Sequence, residues 1–378
     1  MSWTIVLCSE IKPFWENRIC SHDYANQFPG AGWIPYFAEK VKQAGHTFLT
    51  SDLALQKIAD GKLEPERTIL ISGEHARHGL ELIKLGCQPG VMICAESPMF
   101  ARKFYERIRF YCDPYPIKIL FQGTIDQFYP NDALAQRTRF AIYRRSDGFK
   151  PDMPWAERKP MAMVVSNKYW RHPLELKRLL KKPGSIFGWI RSKLCLSNSP
   201  INRHTMKHQL HDYRLSLIHH FADKGLDLYG KGWDQFKNLP LSWRRRLGPV
   251  LNKLSAKQCA DKHETISQYK FCIALENIAA PGYLTEKIID CFVAGVVPLY
   301  LGDPDVTSHI PEGSFVDLRR FKTLAELEKH LNVMTEEQAQ EIIRAGRAYL
   351  ESEAGQEHDY EGMASRMFQK VAKHFSLT

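Results

Sequence analysis

The stretch Tyr269–Asp303, YKFCIALENIAAPGYLTEKIIDCFVAGVVPLYLGD, decides the fold. Its first part, Lys270–Leu275, is a short apolar run with Phe271, Cys272 and Ile273, the length and composition of a buried strand. The run stops at Glu276 and Asn277, and Pro281 and Gly282 mark a loop. From Thr285 to Ala294 the residues Ile288, Ile289, Phe292 and Val293 recur at the spacing of one helix face, and Gly295 suits a helix terminus. Val296, Val297, Leu299, Tyr300 and Leu301 form a second strand. Strand, helix and strand make one βαβ unit, with parallel strands and a right-handed crossover.

Ligands of parallel sheets lie beyond the carboxyl ends of the strands, beside helix N-termini. Glu276, Asn277, Tyr283, Thr285, Glu286 and Lys287 all fall at such a place. A cation in the first helical turn opposes the macrodipole by about 0.3–1 kcal/mol when exposed. Two readings of Lys287 follow. A phosphate-bearing ligand on the same N-terminus would remove the conflict, or Lys287 is a solvated lysine beside the dipole-matched Glu286.

ALEN at 274–277, five residues, YLTEKI at 283–288 and VVPLYLGDP at 296–304 resemble the donor-site signature of the α1,3/4-fucosyltransferases, the family 10 glycosyltransferases. The likeness departs at Leu275, usually Phe in the family, at Ile278, usually Ser, and at Gly282, often Asp. The resemblance implies an α/β fold of the GT-B type, two facing Rossmann-like domains with an interdomain cleft. It also implies an inverting enzyme that moves L-fucose from GDP-β-L-fucose to O3 or O4 of GlcNAc in a glycan acceptor, without an obligatory metal or other cofactor. A transferase using another GDP- or nucleotide-sugar on a bacterial surface polysaccharide is the nearest alternative. A non-catalytic glycan- or nucleic-acid-binding protein is the alternative of another class.

At 378 residues, two domains are expected: 1–155, an acceptor-binding domain, and 156–350, the GDP-sugar-binding domain. Residues 351–378 form a terminal helix that returns to the first domain in two-domain glycosyltransferases. The prolines 151, 154 and 160 mark the join. With 44% hydrophobic and 25% charged residues the composition is globular, and the net charge of +10 favours anionic partners. Nucleic acid is not expected, because no aromatic-basic recognition module accompanies the charge. No apolar run reaches the ~18–20 residues of a membrane span, and the N-terminus MSWTIVLCSEIKPF lacks a basic n-region. The nine cysteines are dispersed and form no CxxC pair, so buried thiols in a reducing, cytoplasmic compartment are expected rather than a zinc site. Since eukaryotic members of the family carry a membrane anchor, the resemblance then implies a bacterial-type enzyme.

The first domain alternates short strands and helices, at Trp3–Cys8, Pro35–Ala44, Thr47–Leu49, Thr68–Ser72, Leu80–Leu85, Gly90–Ala95, Phe100–Ile108 and Lys118–Phe121. Gly90–Ala95 delivers Glu96, Ser97 and Pro98 to its carboxyl end, where a carboxylate faces a crevice. Glu96 is a candidate general base for an attacking hydroxyl, or merely a neighbour of an N-capping Ser97. The family has an ESP-like tripeptide holding its proposed base, which implies the catalytic role for Glu96. Glu74, His75 and His78 form a polar cluster that reads either as a solvated turn or as an acceptor contact.

In the second half, Met161–Val165 ends in Ser166 and Asn167, similar to the VVSN that opens the family's second domain. Leu226–Tyr229 ends in Tyr229 and Gly230. The family places a diphosphate-binding Arg on a helix about a dozen residues before that strand's Asp. Arg214, thirteen residues before Asp227, fits, with Arg203 the competitor. A guanidinium suits a diphosphate because its fork of donors matches two oxygens. Ser166, Asn167, Arg214, Tyr229, Gly230, Asn277, Tyr283, Thr285, Glu286 and Lys287 are thus the implied donor-binding residues. Residues 168–212 resemble an insertion. Its basic, apolar-interleaved part, 177–195, reads either as a helix packed on the domain or as a peripheral contact with the inner face of the plasma membrane. Arg244–Arg246 and Lys253–Lys262 read as solvated helix, and Asp303-Pro304-Asp305, though of DxD form, as a turn.

Overall fold

The computed structural model describes residues 2–28, 30–74, 77–94, 101–120, 122–137, 148–167, 208–233, 239, 241–254 and 257–377. Glu96, Arg203, His75 and the segment 177–195 lie outside these residues. The strands are β1 (Thr4–Cys8), β2 (Thr47–Thr50), β3 (Thr68–Ser72), β4 (Gln88–Ile93), β5 (Ile117–Leu120), β6 (Ala135–Arg137), β7 (Lys159–Val164), β8 (Leu226–Tyr229), β9 (Tyr269–Leu275), β10 (Val297–Leu301) and β11 (Val316–Asp317). The longer helices are α1 (Trp33–Gln43), α2 (Ser51–Ala59), α3 (Arg77–Lys84), α4 (His211–Phe221), α5 (Leu241–Leu254), α6 (Glu286–Ala294), α7 (Leu324–Val333), α8 (Glu336–Glu351) and α9 (Tyr360–Phe375).

Two sheets form, and every neighbouring pair in them is parallel. One has the order β2-β1-β3-β4-β5-β6, the other β11-β10-β9-β7-β8. The central strands are buried along their length, TIVLC in β1 and TILIS in β3. Helices cover both faces of such sheets, which is why these strands read as continuous apolar runs rather than as alternation. The crossover β9–α6–β10 has the register Phe271 with Val297 through Leu275 with Leu301. Its helix buries Ile288, Ile289, Phe292 and Val293.

By compactness the chain divides into two units, residues 1–148 with 281–286 and 350–378, and residues 149–280 with 287–349. In the first unit α9 lies on α1. Ala364, Met367 and Val371 share a core with Phe37, Val41 and Ile5. Phe37 meets Phe368 at 6.2 Å and Phe48 at 6.0 Å between ring centroids. A Cβ on Gly32 would collide with the Tyr360 ring, so α9 approaches the start of α1 at glycine distance. The second unit has its own core, in which Phe271, Leu275, Val297 and Leu299 of the crossover pack with Leu217, Ile218 and Phe221 of α4.

One segment adds an element to the sequence reading and another departs from it. The polar stretch 123–152 contains β6, whose Ala135, Gln136 and Arg137 pair with Lys118, Ile119 and Leu120. A three-residue polar strand has no periodicity of its own, and only the free edge of β5 makes it one. Lys253–Lys262 is not one helix. It ends at Leu254, and Lys257 instead bonds along β8, donating to the Leu228 carbonyl at 3.0 Å and accepting from Gly230 at 3.0 Å. Among the described residues no helix is long and apolar enough to cross a membrane.

Truncating Phe37 to Ala removes a fully buried ring at the junction of α1, β2 and α9. It is expected to lower unfolding free energy by about 3–5 kcal/mol, read as a shift of the urea midpoint. A shift equivalent to under about 1 kcal/mol would show that α9 is not part of the first unit's core.

Candidate functional site

In the second sheet β7 lies between β8 and β9, so the chain leaves β7 toward one side and later returns on the other. The carboxyl ends of β7 and β9 flank this reversal, the place where open parallel sheets bind ligands. β7 runs out into Val165, Ser166 and Asn167, and β9 into Glu276 and Asn277.

Two residues before α4, the chain touches this end of β9. Gln209 and Ile278 form an antiparallel bridge, Leu210 donates to the Asn277 carbonyl at 3.0 Å, and Ala279 donates to the His208 carbonyl at 2.8 Å. This short ribbon sets α4 so that Arg214, one turn in, points at the strand end. Arg214 is 2% exposed, a guanidinium withdrawn from solvent. Its Nη2 donates to the Asn277 Oδ1 at 3.1 Å and to the Glu276 carbonyl at 3.3 Å. Its Nη1 donates to His211 Nδ1 at 3.2 Å. A guanidinium can only donate, so His211 Nδ1 must be the accepting nitrogen of a neutral ring.

Glu276 is fully buried, and Lys287 in the first turn of α6 donates to its Oε2 at 2.8 Å. The Lys287 side chain is 14% exposed, so it is not a solvated lysine. The macrodipole conflict is met within the protein, by a buried carboxylate on the preceding strand. Space for Glu276 comes from Gly302, where a Cβ would lie 2.3 Å from the Glu276 Cγ. Two cations are therefore held at the end of β9, Arg214 against Glu276 and Asn277 and Lys287 against Glu276.

Ser166 and Asn167 follow β7 toward the same end of the sheet. Asn167 donates from its backbone to the Lys231 carbonyl at 2.8 Å and from Nδ2 to the Gly232 carbonyl at 3.0 Å. Gly230 has φ 123°, and a Cβ there would meet the Val165 carbonyl at 2.2 Å, so the two loops close on a glycine. Tyr229 is placed differently. Its hydroxyl meets that of Tyr269 at 2.8 Å, and Tyr269 donates to Asp227 at 2.6 Å, inside the sheet face. Tyr283 and Thr285 are buried and Glu286 half-buried, all within the segment 281–286 of the first unit. Asp303 forms the expected turn, its carboxylate accepting from the Asp305 backbone at 3.0 Å. Among the described residues no group of three or more His, Cys, Asp or Glu could hold a metal ion. Sequence reading missed His211, although its spacing of three from Arg214 was the available signal.

Burial, and then the Arg214 charge, hold the His211 pKa down at about 3. In the unfolded chain it returns to about 6.5. Between those values the unfolded state binds the extra proton, so stability is complete above about pH 6.5 and lost as pH falls toward 3. From pH 7 to pH 5 this one group should remove about 2 kcal/mol. Urea unfolding of the wild type and of His211→Gln checks it. The glutamine variant, which still accepts from Arg214 but cannot titrate, should lose that part of the pH dependence. Equal slopes would refute a buried neutral imidazole.

Residues 195–342 match the sequence profile "Glycosyltransferase family 10 (fucosyltransferase) C-term". The α-(1,3)-fucosyltransferase FucT of Helicobacter pylori is 40% identical over 79 residues, 21% of this chain and 16% of that protein. The α-(1,3)-fucosyltransferase B of Drosophila melanogaster is 31% identical over 126 residues, 33% of this chain and 26% of its own length. These alignments thus span about a quarter or less of either relative. Among solved structures, an α1,3-fucosyltransferase with GDP superposes with TM-score 0.50 at 15% identity, covering 98% of this chain and 90% of that one. Anabaena Alr3699/HepE in complex with UDP-glucose gives 0.52 at 10% identity, covering 99% and 100%. At these identities the likeness shows the fold, the α/β type with two parallel sheets called GT-B. Arg214, Glu276, Asn277 and Lys287 all fall within the matched residues, so the end of β9 and its two cations lie in the part of the chain that matches the C-terminal domain model of glycosyltransferase family 10, the fucosyltransferases.

Proposed function

We propose that the chain is an inverting fucosyltransferase that moves L-fucose from GDP-β-L-fucose to O3 or O4 of a GlcNAc in a glycan acceptor. The observation that carries this reading is the buried Arg214, clasped by Asn277 and the Glu276 carbonyl at the reversal of the second sheet, within the family's domain. Its spacing before Asp227 is the family's spacing, which favours it over Arg203.

In this reading the diphosphate of the donor lies against Arg214, Lys287 and the N-terminus of α6. Negative charge grows on the departing diphosphate as the C1–O bond breaks, and fixed cations stabilise charge where it develops. Lys287 carries three N–H donors, so its bond to Glu276 and a bond to a phosphate oxygen are compatible. Asn277 fixes the guanidinium and lies beside the sugar. Ser166, Asn167 and Gly230 border the nucleotide from the ends of β7 and β8, while the Tyr229 ring, turned toward Tyr269, supports them from within the sheet. Tyr283 and Glu286 hold ribose and phosphate, and Thr285 opens the helix. Glu96 takes the proton of the attacking hydroxyl, so that a single displacement converts the β-linked donor to an α-linked product. The cations supply the charge neutralisation, and turnover should persist in chelator. In this reading the enzyme works in the cytoplasm of a bacterium.

Arg214→Ala and Lys287→Ala should each weaken GDP binding about 10–100-fold in calorimetry, the scale of a hydrogen bond to a charged group. If neither change moves the affinity, the donor site lies elsewhere. Glu96→Gln should leave GDP affinity near the wild-type value and cut transfer by about two decades or more, measured with GDP-fucose and GlcNAc-containing glycans and products read by mass and linkage. Unchanged turnover would remove Glu96 from the mechanism.

A further inference from the structure

The terminal helix α9 packs its apolar residues on the first unit, with Ala364, Met367 and Val371 in the core and Met363 against it. At helical spacing, positions 363, 366, 367 and 370 share one face. In α9 two of those four are Arg366 and Lys370. The ordinary occupant of a packed helix face is apolar, so two cations there need a reason.

The helix leaves a gap over the sheet at this point. Ile117 and Ile119 lie on the same face of β5, yet Ile117 is 2% exposed and Ile119 is half-buried. The gap is a cavity of about 100 Å³. Ile119, Met363 and Met367 form its apolar lining. Its polar lining is Arg366, Lys370, Glu357 and Gln136, the last paired with Ile119 across β5 and β6. Apart from Met367 these residues are half-buried, so the cavity meets solvent. It belongs wholly to the first unit and lies toward the opposite edge of the sheet from the reversal at β1.

The charges in the lining are uneven. Two cations, Arg366 and Lys370, face one carboxylate, Glu357, which leaves one positive charge. The Lys370 ammonium donates to the Gln136 side-chain carbonyl, a neutral acceptor. Arg366 Nη2 donates to the Gln356 carbonyl at 3.2 Å. Burial, and then the Arg366 charge, hold the Lys370 pKa below its ordinary value, although Glu357 acts the other way. Lys287 differs, because a buried carboxylate bonds it directly. An added negative charge beside Lys370 would favour its charged form.

We infer that the cavity between α9, β5 and β6 is a binding site for a small organic monocarboxylate, its carboxylate on Arg366 and Lys370 and its short aliphatic body on Ile119, Met363 and Met367. The fork of the guanidinium matches the two carboxylate oxygens, with Lys370 as a point charge beside it. The unbranched methionines adapt to a hydrocarbon body. Size follows from volume: a cavity of about 150 Å³ holds benzene, so this one suits a chain of about four carbons. Charge follows from Glu357: one negative charge neutralises the lining, whereas a phosphate dianion overshoots it and is repelled by that carboxylate. A bound carboxylate would fasten α9 to the β6 edge and stabilise the first unit by mass action. None of this depends on what the second unit binds.

The test is ligand-observed saturation-transfer NMR on the full chain, with sodium butyrate as probe at constant ionic strength. Butyrate should bind wild type saturably, and n-butanol, its uncharged counterpart, tenfold or more weakly. Phosphate, followed by its competition with butyrate, should also be the weaker ligand. Lys370→Met keeps the stem and removes the charge, and should weaken butyrate tenfold or more without lowering the Tm of the ligand-free protein. Glu357→Gln keeps both cations and serves should Lys370→Met not fold. It should retain butyrate and bind phosphate about tenfold more tightly. Lack of saturable butyrate binding in wild type overturns the inference, as do equal butyrate affinity in Lys370→Met and unchanged phosphate affinity in Glu357→Gln. Phosphate binding more tightly than butyrate to wild type would equally overturn it.

Discussion

A guanidinium withdrawn from water must be met by fixed dipoles, and the second unit is arranged around that requirement. Arg214 finds them in the Asn277 side chain, the Glu276 carbonyl and the lone pair of a neutral His211. Removing one partner of such a group would leave a buried charge uncompensated, the costly case for buried ions. The three acceptors come from two places, the end of β9 and the first turn of α4. The antiparallel bridge of Gln209 with Ile278 joins them, so the charge and its cage form together or not at all.

The same strand end also organises Lys287. A buried carboxylate facing a helix N-terminus would be favourable to the dipole by itself, and adding the ammonium makes Glu276 and Lys287 a neutral pair under α6. Buried pairs of this kind contribute little net stability, because desolvation offsets attraction. Their persistence is better understood as placement. Two positive groups are presented at one strand end while the net charge buried there stays small. An anion can then be stabilised by groups whose orientation was set during folding, with little reorganisation left for the moment of reaction.

The two sheets repeat one topological device with different chemistry. Each reverses its strand order once, and each gathers polar residues at the carboxyl ends that flank the reversal. In the second sheet those residues are cations on acceptors. In the first they are an imidazole and a carboxylate, the His78 backbone N–H donating to Glu10. The fold supplies the positions, and the loops decide which side chains stand there.

The sequence by itself determined the β9–α6–β10 crossover, because an apolar strand, a one-faced helix and a closing glycine are local patterns with one parallel solution. It also determined most other strands, whose burial on both faces leaves continuous apolar runs. The Glu276–Asn277 and Lys287 positions were legible for the same reason, as polar residues where an apolar run stops. What the tertiary structure alone decided depends on partners distant in sequence. β6 exists because β5 has an edge to pair. Lys257 leaves the helical pattern because β8 offers it bonds. The solvated reading of Lys287 failed because the partner carboxylate, eleven residues earlier, is invisible to helix rules. Met363 and Met367 read as the packed face of a terminal helix. That Arg366 and Lys370 share a cavity with them is set by Gln136, 234 residues before Lys370, and by Ile119 beside it. Local patterning selects elements, whereas a site needs distances between elements, and those are set by packing.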